Sequence, residues 1–244
     1  MDKIDWQKKG EGHRQRLRDR FLDHGLEGFT DAEVLELLLI LGTPRKDCKE
    51  PARAVLARFS TLAQALDAGQ AELEEIDGIG PKNGFALRLV QAVARRYLKQ
   101  RLEQKEYLRS SSEVGDYLVH AMRGLKREVM MAVLLDSSLA IIDTVQVAEG
   151  TLASSTVHPR ELIRLAIEHH AGAVVIAHNH PSGSLTPSAE DRNLTRHLYI
   201  ALAFSGIRLL DHLIVGAASR PYSFADQGFM DELRRDSAAL LAGG

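Results

Sequence analysis

The chain has 244 residues, of which 45% are hydrophobic and 26% are charged, and it contains ten histidines but one cysteine. This composition is ordinary for a folded protein and excludes collagen-like, low-complexity and disordered classes. One cysteine excludes an internal disulfide framework and any zinc site built from paired cysteines, and the formal charge of −2 gives no basic signal for nucleic acid. A bound metal would therefore depend on imidazole and carboxylate ligands.

The first 105 residues are predicted to be helical throughout. Apolar residues recur every three or four positions, and Thr30 and Ser60 or Thr61 precede two of these segments as helix-starting residues. The segments are 31–42, 50–59, 61–69, 71–76 and 84–105. The N-terminus lacks the apolar stretch of a signal peptide, and no apolar run approaches the roughly 20 residues of a membrane span, so we expect a cytoplasmic protein.

Residues 73–87 predict a helix, a tight Gly-x-Gly turn and a second helix, and they resemble a helix-hairpin-helix motif. In such a motif the turn amides at a helix N-terminus contact a DNA phosphate. Gly78, Gly80 and Lys82 are the residues expected to make this contact, although Gly84 departs from the small apolar residue usual in the second helix. A purely structural helical hairpin is the alternative.

From residue 106 the pattern predicts an α/β domain with a mixed sheet. Ser110–Ser112 is predicted to be a loop and helix cap, and residues 208–216 either two abutting strands or one bent strand. The other predicted strands are 129–136, 140–150 and 173–178, and the helices are 158–170 and 188–206. The domain boundary is placed in the hydrophilic stretch 98–112, which gives a helical domain 1–105 and an α/β domain 106–244. The helical part carries 19 Lys and Arg against 17 Asp and Glu, and the α/β part 12 against 16.

A candidate metal site begins where the predicted strand 173–178 ends. Strand alternation sends His178 and His180 to one side of the chain and Asn179 to the other. Asp191 follows in the first turn of the next helix, where its carboxylate can turn back toward the histidines. Two histidines, one carboxylate and a water molecule form a recurring catalytic zinc set, because three protein ligands leave the fourth position for chemistry.

Simpler interpretations exist for the same residues. An isolated His-x-His on a strand is often incidental, and Ser188-x-x-Asp191 is also the pattern of a capping box. The order of strand, His-x-His, Pro/Gly loop and Ser-x-x-Asp on a new helix is much rarer than either part alone. Both interpretations can hold together, with one helix start that also presents a ligand.

The spacing His-x-His, seven residues, Ser-x-x-Asp is similar to the signature of the JAMM (MPN+) zinc metalloproteases. The longer string from His178 to Asp191, with VHPRE before it and LLDHLIVG after it, resembles the bacterial RadC family over residues 106–229. The resemblance extends more loosely over the helical half. It implies an MPN (cytidine-deaminase-like) α/β domain that hydrolyses peptide or isopeptide bonds. It also implies His178, His180 and Asp191 as zinc ligands and Ser188 as an orienting or transition-state donor.

The family also needs a glutamate at the start of an early strand, to accept a proton from the zinc-bound water. Glu128 is the candidate; Glu149 is less well placed and Glu161 belongs to a predicted helix. A solvated charge beside Lys126 and Arg127 is the alternative for Glu128. Farther along the chain, Asp211 and His212 are weaker candidates to approach the site, either as an orienting group or as ordinary core residues.

Two functions from different classes follow from these patterns. The first is a zinc-dependent hydrolase of peptide or isopeptide bonds. The second is a DNA-associated repair or recombination accessory protein whose metal site is structural or vestigial. Several other enzyme classes are disfavoured because the sequence has no His-Glu-x-x-His, no Gly-x-Ser-x-Gly, no Walker loop and no cysteine pair of a nucleobase deaminase. The three-residue ligand set favours the hydrolase, because a structural zinc site normally closes its fourth position with a side chain.

Overall fold

The computed structural model describes residues 3–43, 46–103, 105–150 and 158–241. The chain divides into two compact units, residues 1–94 and 95–244. The predicted division at 105/106 falls eleven residues later, after a helix that runs across the 94/95 boundary, and it stays a prediction. Among the described residues, no helix combines the length and apolar composition needed to cross a bilayer.

The helices and strands are numbered here in chain order. The helices are α1 Lys3–His24, α2 Asp31–Gly42, α3 Lys49–Phe59, α4 Leu62–Asp67, α5 Gln70–Glu74, α6 Pro81–Leu102, α7 Tyr107–Met122, α8 Pro159–Glu168, α9 Ala189–Phe204 and α10 Phe229–Leu241. The strands are β1 Val129–Leu135, β2 Ile141–Glu149, β3 Ala173–Asn179, β4 Arg208–Val215 and β5 Tyr222–Ser223.

The first unit is helical, as predicted. Thr30 begins α2 with a capping box, in which its hydroxyl accepts the Glu33 N–H and the Glu33 carboxylate accepts the Thr30 N–H. Thr61 caps α4 through the Gln64 N–H. Helix α1, which covers the basic N-terminal segment, was not individually predicted. The core of this unit consists of buried apolar residues that include Leu17, Leu35, Leu39, Val55, Leu73, Ile79 and Leu87.

The second unit is a five-stranded mixed sheet with helices on both faces, which confirms the predicted α/β class. The strand order is β2-β1-β3-β4-β5, with β3 and β4 parallel and the other neighbours antiparallel. Alternate residues of β3 enter two separate cores: Val174 and Ile176 pack on the side of α8, α9 and α10, while Val175 and Ala177 pack on the side of α7. This alternation decides which way each residue at the end of β3 points.

Several predicted elements in the second unit need correction. Ser110–Ser112 lies inside α7 and not in a loop, because α7 buries Tyr107, Val114 and Leu118 in the core and this packing outweighs the weak helix propensity of serine. Residues 208–215 form one strand, which resolves the alternatives left open for that segment. Helix α10 and the short strand β5 were not predicted.

Gly42, at the end of α2, lies against the backbone that starts α6. A Cβ atom on Gly42 would lie 2.4 Å from the Lys82 carbonyl oxygen and 2.6 Å from the Asn83 Cα. Because both neighbours are backbone atoms, we expect Gly42→Ala to lower the free energy of unfolding by about 1–3 kcal/mol, the usual cost of overpacking. Gly80→Ala is the matched control, since a Cβ there meets nothing within 4 Å. Urea denaturation of both variants checks this, and equal midpoints would contradict the close approach.

Candidate metal centre

The two histidines of the His-x-His motif lie where β3 ends. His178 is fully buried on the side of the sheet that packs on α9, and the His180 side chain is 13% exposed. Asp191 lies in the first turn of α9 and is also fully buried. The structure therefore brings together all three residues predicted to ligate a metal, and their ligand atoms lie within 4.8 Å of one another.

The closest atoms of this group are the two Nε2 atoms and the Asp191 carboxylate. The Nε2 atoms of His178 and His180 lie 2.9 Å apart. Asp191 Oδ1 lies 3.0 Å from His178 Nε2, and Asp191 Oδ2 lies 3.4 Å from His180 Nε2. Ligand atoms around one tetrahedral zinc ion, at bond lengths of about 2.0–2.1 Å, are about 3.3–3.4 Å apart. The 3.4 Å separation matches that spacing, and the 2.9 and 3.0 Å separations are slightly shorter.

Ser188 orients the carboxylate of Asp191. The backbone N–H and the hydroxyl of Ser188 both donate to Asp191 Oδ2, at 2.7 and 2.8 Å, and the Asp191 N–H donates to Ser188 Oγ at 3.0 Å. This is a complete capping box, so the capping interpretation and the ligand interpretation hold together. The cap holds Oδ2, which lies 3.4 Å from His180 Nε2, and the other oxygen, Oδ1, is directed at His178.

Hydrogen-bond acceptors fix the proton of each imidazole. His180 Nδ1 lies 3.0 Å from the Ser184 carbonyl oxygen, which can only accept, so this nitrogen carries the proton. The Thr195 hydroxyl donates to the Asp191 carbonyl oxygen at 2.6 Å, so it must accept from His212 Nδ1 at 2.7 Å. A neutral His212 then has a free lone pair on Nε2, which accepts from His178 Nδ1 at 2.7 Å.

These proton positions leave three acceptors facing one another. When neutral, His178 and His180 both carry their proton on Nδ1, so neither Nε2 has a hydrogen to donate. Asp191 Oδ1 is buried and has no hydrogen-bond partner. Its 3.0 Å contact with His178 is an ion pair only if that histidine is protonated. One added proton would bridge only two of these atoms, whereas a metal cation would satisfy all three, so the three converging lone pairs form a ligand set.

The environment favours an ionised Asp191 carboxylate and a neutral His212 imidazole. Burial alone would raise the pKa of Asp191, but His178, when it is protonated, and the two donors of Ser188 hold that pKa below its usual range. Burial lowers the pKa of His212 well below its usual value, and the nearby His178 adds to this. His212 also stacks on Phe224, with ring centroids 4.9 Å apart. It is therefore a neutral bridge between His178 and Thr195.

An open groove of about 780 Å³ borders the centre and carries the predicted base. Glu128 lines this groove together with His180, Ser188 and Asp191. The antiparallel register of β1 and β3 pairs Met130 with His178, so continuing that register places Glu128 opposite His180.

The other two candidates for the base lie elsewhere. Glu149 lines a neighbouring cavity and lies 3.6 Å from an Arg127 guanidinium nitrogen. Glu161 forms ion pairs with Arg160 and Arg164 on α8.

Asp211 lies in the core beside His212 and does not reach the ligand atoms. Its carboxylate accepts from the Ser223 hydroxyl at 2.6 Å and from the N–H groups of Ala225 and His212 at 2.8 and 2.7 Å. Burial raises the pKa of Asp211 to about 6, although these three donors oppose the shift. Asp211 thus anchors β4 to the turn around β5, and His212 alone of this pair contacts the centre.

The predicted DNA-binding hairpin satisfies its own turn amides. Asn83 is buried, and its side-chain oxygen accepts from the N–H groups of Gly80 and Gly84, while its amide nitrogen donates to the Gly78 carbonyl. A Cβ on Gly84 would lie 2.8 Å from the terminal amide nitrogen of Gln70, a contact that a shift of this flexible side chain can relieve. A phosphate at this turn would have to compete with Asn83. DNA binding through Gly78, Gly80 and Lys82 stays a prediction.

Comparisons with known proteins match both parts of the chain. Residues 108–229 match the family described as the RadC-like JAB domain, and residues 11–85 match the UPF0758 N-terminal family. A UPF0758 protein of Burkholderia cenocepacia is 41% identical over 221 residues, which is 91% of this chain and 86% of that protein. The chain belongs to the UPF0758 (RadC) family.

Two further UPF0758 proteins give the same result. One from Stenotrophomonas maltophilia is 39% identical over 218 residues, covering 89% of this chain and 93% of its own. One from Burkholderia mallei is 40% identical over 217 residues, covering 89% and 78%. The RadC-like JAB domain belongs to a metalloprotease-related superfamily, and its MPN-type α/β fold agrees with the mixed sheet described above.

Sequence reasoning missed two residues that surround the centre in this RadC-family chain. Thr195 lies one helical turn after Asp191 on α9, a spacing that could have suggested a shared face. Asn179 lies between the two histidines and was placed only on the opposite side of the strand. The partners that tie these residues to the centre, His212 for Thr195 and residues 125–129 for Asn179, are distant in the sequence, so no local pattern indicates them.

We expect Thr195→Val to weaken the binding of a divalent metal. The substitution keeps the shape of the side chain but removes the hydroxyl that accepts from His212 Nδ1 and donates to the Asp191 carbonyl. Loss of such an outer hydrogen bond typically costs ten- to a hundredfold in metal affinity. Competition for Zn²⁺ against a chromophoric chelator measures it, with Thr195→Ser as the control that restores the hydroxyl. Equal affinity in the valine variant would contradict this hydrogen-bond chain.

Asp211 predicts a pH-dependent stability. Its pKa of about 6 in the folded protein exceeds the usual unfolded value near 3.9, so the folded state holds the proton more tightly. This contribution to stability is complete below about pH 4 and is lost as the pH rises through 6, by about 3 kcal/mol for a shift of about two units.

Asp211→Asn should therefore gain up to about 3 kcal/mol relative to the parent between pH 4 and pH 7. Urea unfolding of both proteins in the presence of EDTA, at several pH values, gives the comparison. Parallel pH profiles would show that Asp211 does not titrate in this range.

Proposed function

We propose that this chain is a zinc-dependent hydrolase of the JAMM metalloprotease type, which cleaves a peptide or isopeptide bond. The observation that supports it most is the convergence of His178 Nε2, His180 Nε2 and Asp191 Oδ1, none of which carries a hydrogen when both histidines are neutral. Membership of the RadC family and the adjoining groove support the same function.

The donor set fits zinc better than a harder cation. Two imidazole nitrogens and one carboxylate are typical of catalytic zinc, whereas calcium and magnesium prefer oxygen ligands throughout. Among the described residues, the group that can hold a metal has three members, His178, His180 and Asp191. Three protein ligands would leave the fourth position of a bound zinc for water or substrate, which favours a catalytic over a structural zinc.

The chemistry we propose is the addition of water to a carbonyl. When bound, zinc would lower the pKa of a water molecule toward neutrality and polarise the carbonyl oxygen. The Glu128 carboxylate would accept a proton from the attacking water, whose oxygen forms the new bond to the carbonyl carbon, and would pass that proton to the leaving nitrogen as the C–N bond breaks. The exchange is balanced, because the OH of one water molecule ends in the new carboxyl group and its remaining hydrogen ends on the amine.

Ser188 has two candidate roles in this scheme. Its hydroxyl proton points at Asp191 Oδ2, which supports an orienting role for the ligand. The alternative role, donation to the developing oxyanion, requires this proton to turn away from Asp191. The orienting role is the one we propose for the resting protein.

We expect Glu128→Gln to lower kcat by at least a hundredfold while zinc stays bound, because general acid–base catalysis is typically worth 10²–10⁴-fold. The assay uses a library of internally quenched peptides and its isopeptide-linked counterpart, with zinc measured in the same samples. Glu149→Gln and Glu161→Gln are the matched controls, since those carboxylates line a different cavity or lie on α8. Full activity of the Glu128 variant would remove the base assignment.

Metal analysis tests the ligand set separately from the base. His178→Ala and Asp191→Ala should each lose the bound zinc, whereas His197→Ala, on the exposed side of α9, should keep it. A parent protein that holds no metal after purification and does not bind added Zn²⁺ would overturn the proposed function.

A further inference from the structure

Asn179 lies between the two histidines of the metal centre but faces away from them. It is 1% exposed and belongs to the side of the sheet that packs on α7. A buried amide has to find partners for its oxygen and its nitrogen. All three partners of Asn179 lie in residues 125–129, which lead from α7 into the first residue of β1 and include Glu128.

The geometry of these bonds uses the whole amide group. Asn179 Oδ1 accepts from the Val129 N–H at 2.8 Å. Its Nδ2 donates to the Arg127 carbonyl at 3.0 Å and to the Leu125 carbonyl at 3.3 Å. One acceptor and two donors on the same planar group are available only in asparagine and glutamine, and glutamine is one methylene longer.

Asn179 extends the pairing of β1 and β3 beyond its last backbone rung. The register of these two strands ends at Met130 and His178. One residue further on, the Asn179 side chain binds the Val129 N–H in place of a backbone carbonyl. The other side of the segment is held by the Gly150 N–H, which donates to the Glu128 carbonyl at 2.9 Å. Glu128 therefore has a backbone fixed from two directions.

We propose that Asn179 is the positioning residue for Glu128, so that three consecutive residues at the end of β3, His178 to His180, serve both parts of the centre. His178 and His180 present nitrogen atoms on one side of the strand. On the other side, Asn179 binds the backbone of residues 125–129, which include the base Glu128. The distance between the metal position and the base is then set by one strand and not by two independent loops. This inference rests on the proposed function for the role of Glu128, but the hydrogen bonds themselves do not.

The test combines two variants of Asn179 with readouts of position, metal and rate. Asn179→Ala removes all three bonds, whereas Asn179→Asp keeps the acceptor for Val129 and loses both donors. In the alanine variant we expect the Val129 amide to exchange with deuterium at least tenfold faster than in the parent, while Ala132 in the middle of β1 is unchanged. The Kd for Zn²⁺ should stay within threefold, because the ligands lie on the opposite side.

A double-mutant cycle assigns the effect to Glu128. With the quenched-peptide library, Asn179→Ala should lower kcat at least tenfold in the parent and less than twofold in the Glu128→Gln background, since a positioning residue has nothing left to position there. Asn179→Asp should fall between the parent and the alanine variant. Asn193→Ala, an exposed asparagine on α9, is the control for substitution of the same residue type.

Each result decides one part of the inference. An unchanged Val129 exchange rate, or additive losses in the cycle, would overturn the positioning role. Loss of zinc together with activity in the alanine variant would also overturn it, because Asn179 would then act on the ligands. If the parent cleaves no peptide or isopeptide while binding zinc, the proposed function fails, and the exchange and zinc measurements still decide whether Asn179 holds the segment.

Discussion

Two acceptors decide where the protons of the metal centre lie, and the rest of the site depends on them. The Ser184 carbonyl accepts a hydrogen bond from His180 Nδ1. The Thr195 hydroxyl donates its own hydrogen to a backbone carbonyl and therefore accepts from His212 Nδ1. His178 is then left to donate to His212, so both strand-end histidines point a bare Nε2 at Asp191. Buried acceptors that face each other without a proton are costly, and a cation between them removes that cost.

The order of β3, α9 and β4 explains why these groups meet. Parallel β3 and β4 are joined by α9, so the end of β3 and the start of the helix lie on the same edge of the sheet. The first turn of α9 supplies Asp191 and its second turn supplies Thr195, which reaches His212 on β4. An anionic ligand at a helix N-terminus is also favoured by the helix dipole. The order of these elements therefore places a carboxylate, a hydroxyl and two imidazoles together at one edge of the sheet.

The part of the centre that sequence could predict has a local signature. Strand alternation placed His178 and His180 on one side, and the four-residue capping pattern placed Asp191 on a helix start. Thr195, His212 and Asn179 act through partners far along the chain, such as Arg127 and Asn179, which are 52 residues apart. The fold shows the same limit: caps and periodicity located α2 and α4, whereas the serines within α7 indicated a loop until burial against the sheet decided for a helix.

The hairpin of the first unit and the metal centre of the second differ in how their polar groups are satisfied, and this difference supports proposing the chemistry at the metal centre. In the Gly78–Gly84 hairpin, Asn83 occupies the amides that a phosphate would need, so the turn is stable without a ligand. In the metal centre, Asn179 and Ser188 satisfy the surrounding backbone and one carboxylate oxygen, while Asp191 Oδ1 stays without a hydrogen bond. Asn83 thus satisfies the turn of the hairpin, whereas Asn179 holds the backbone beside the metal centre without binding the ligand atoms. A buried oxygen that the protein orients but does not satisfy is the physical reason to look for chemistry there.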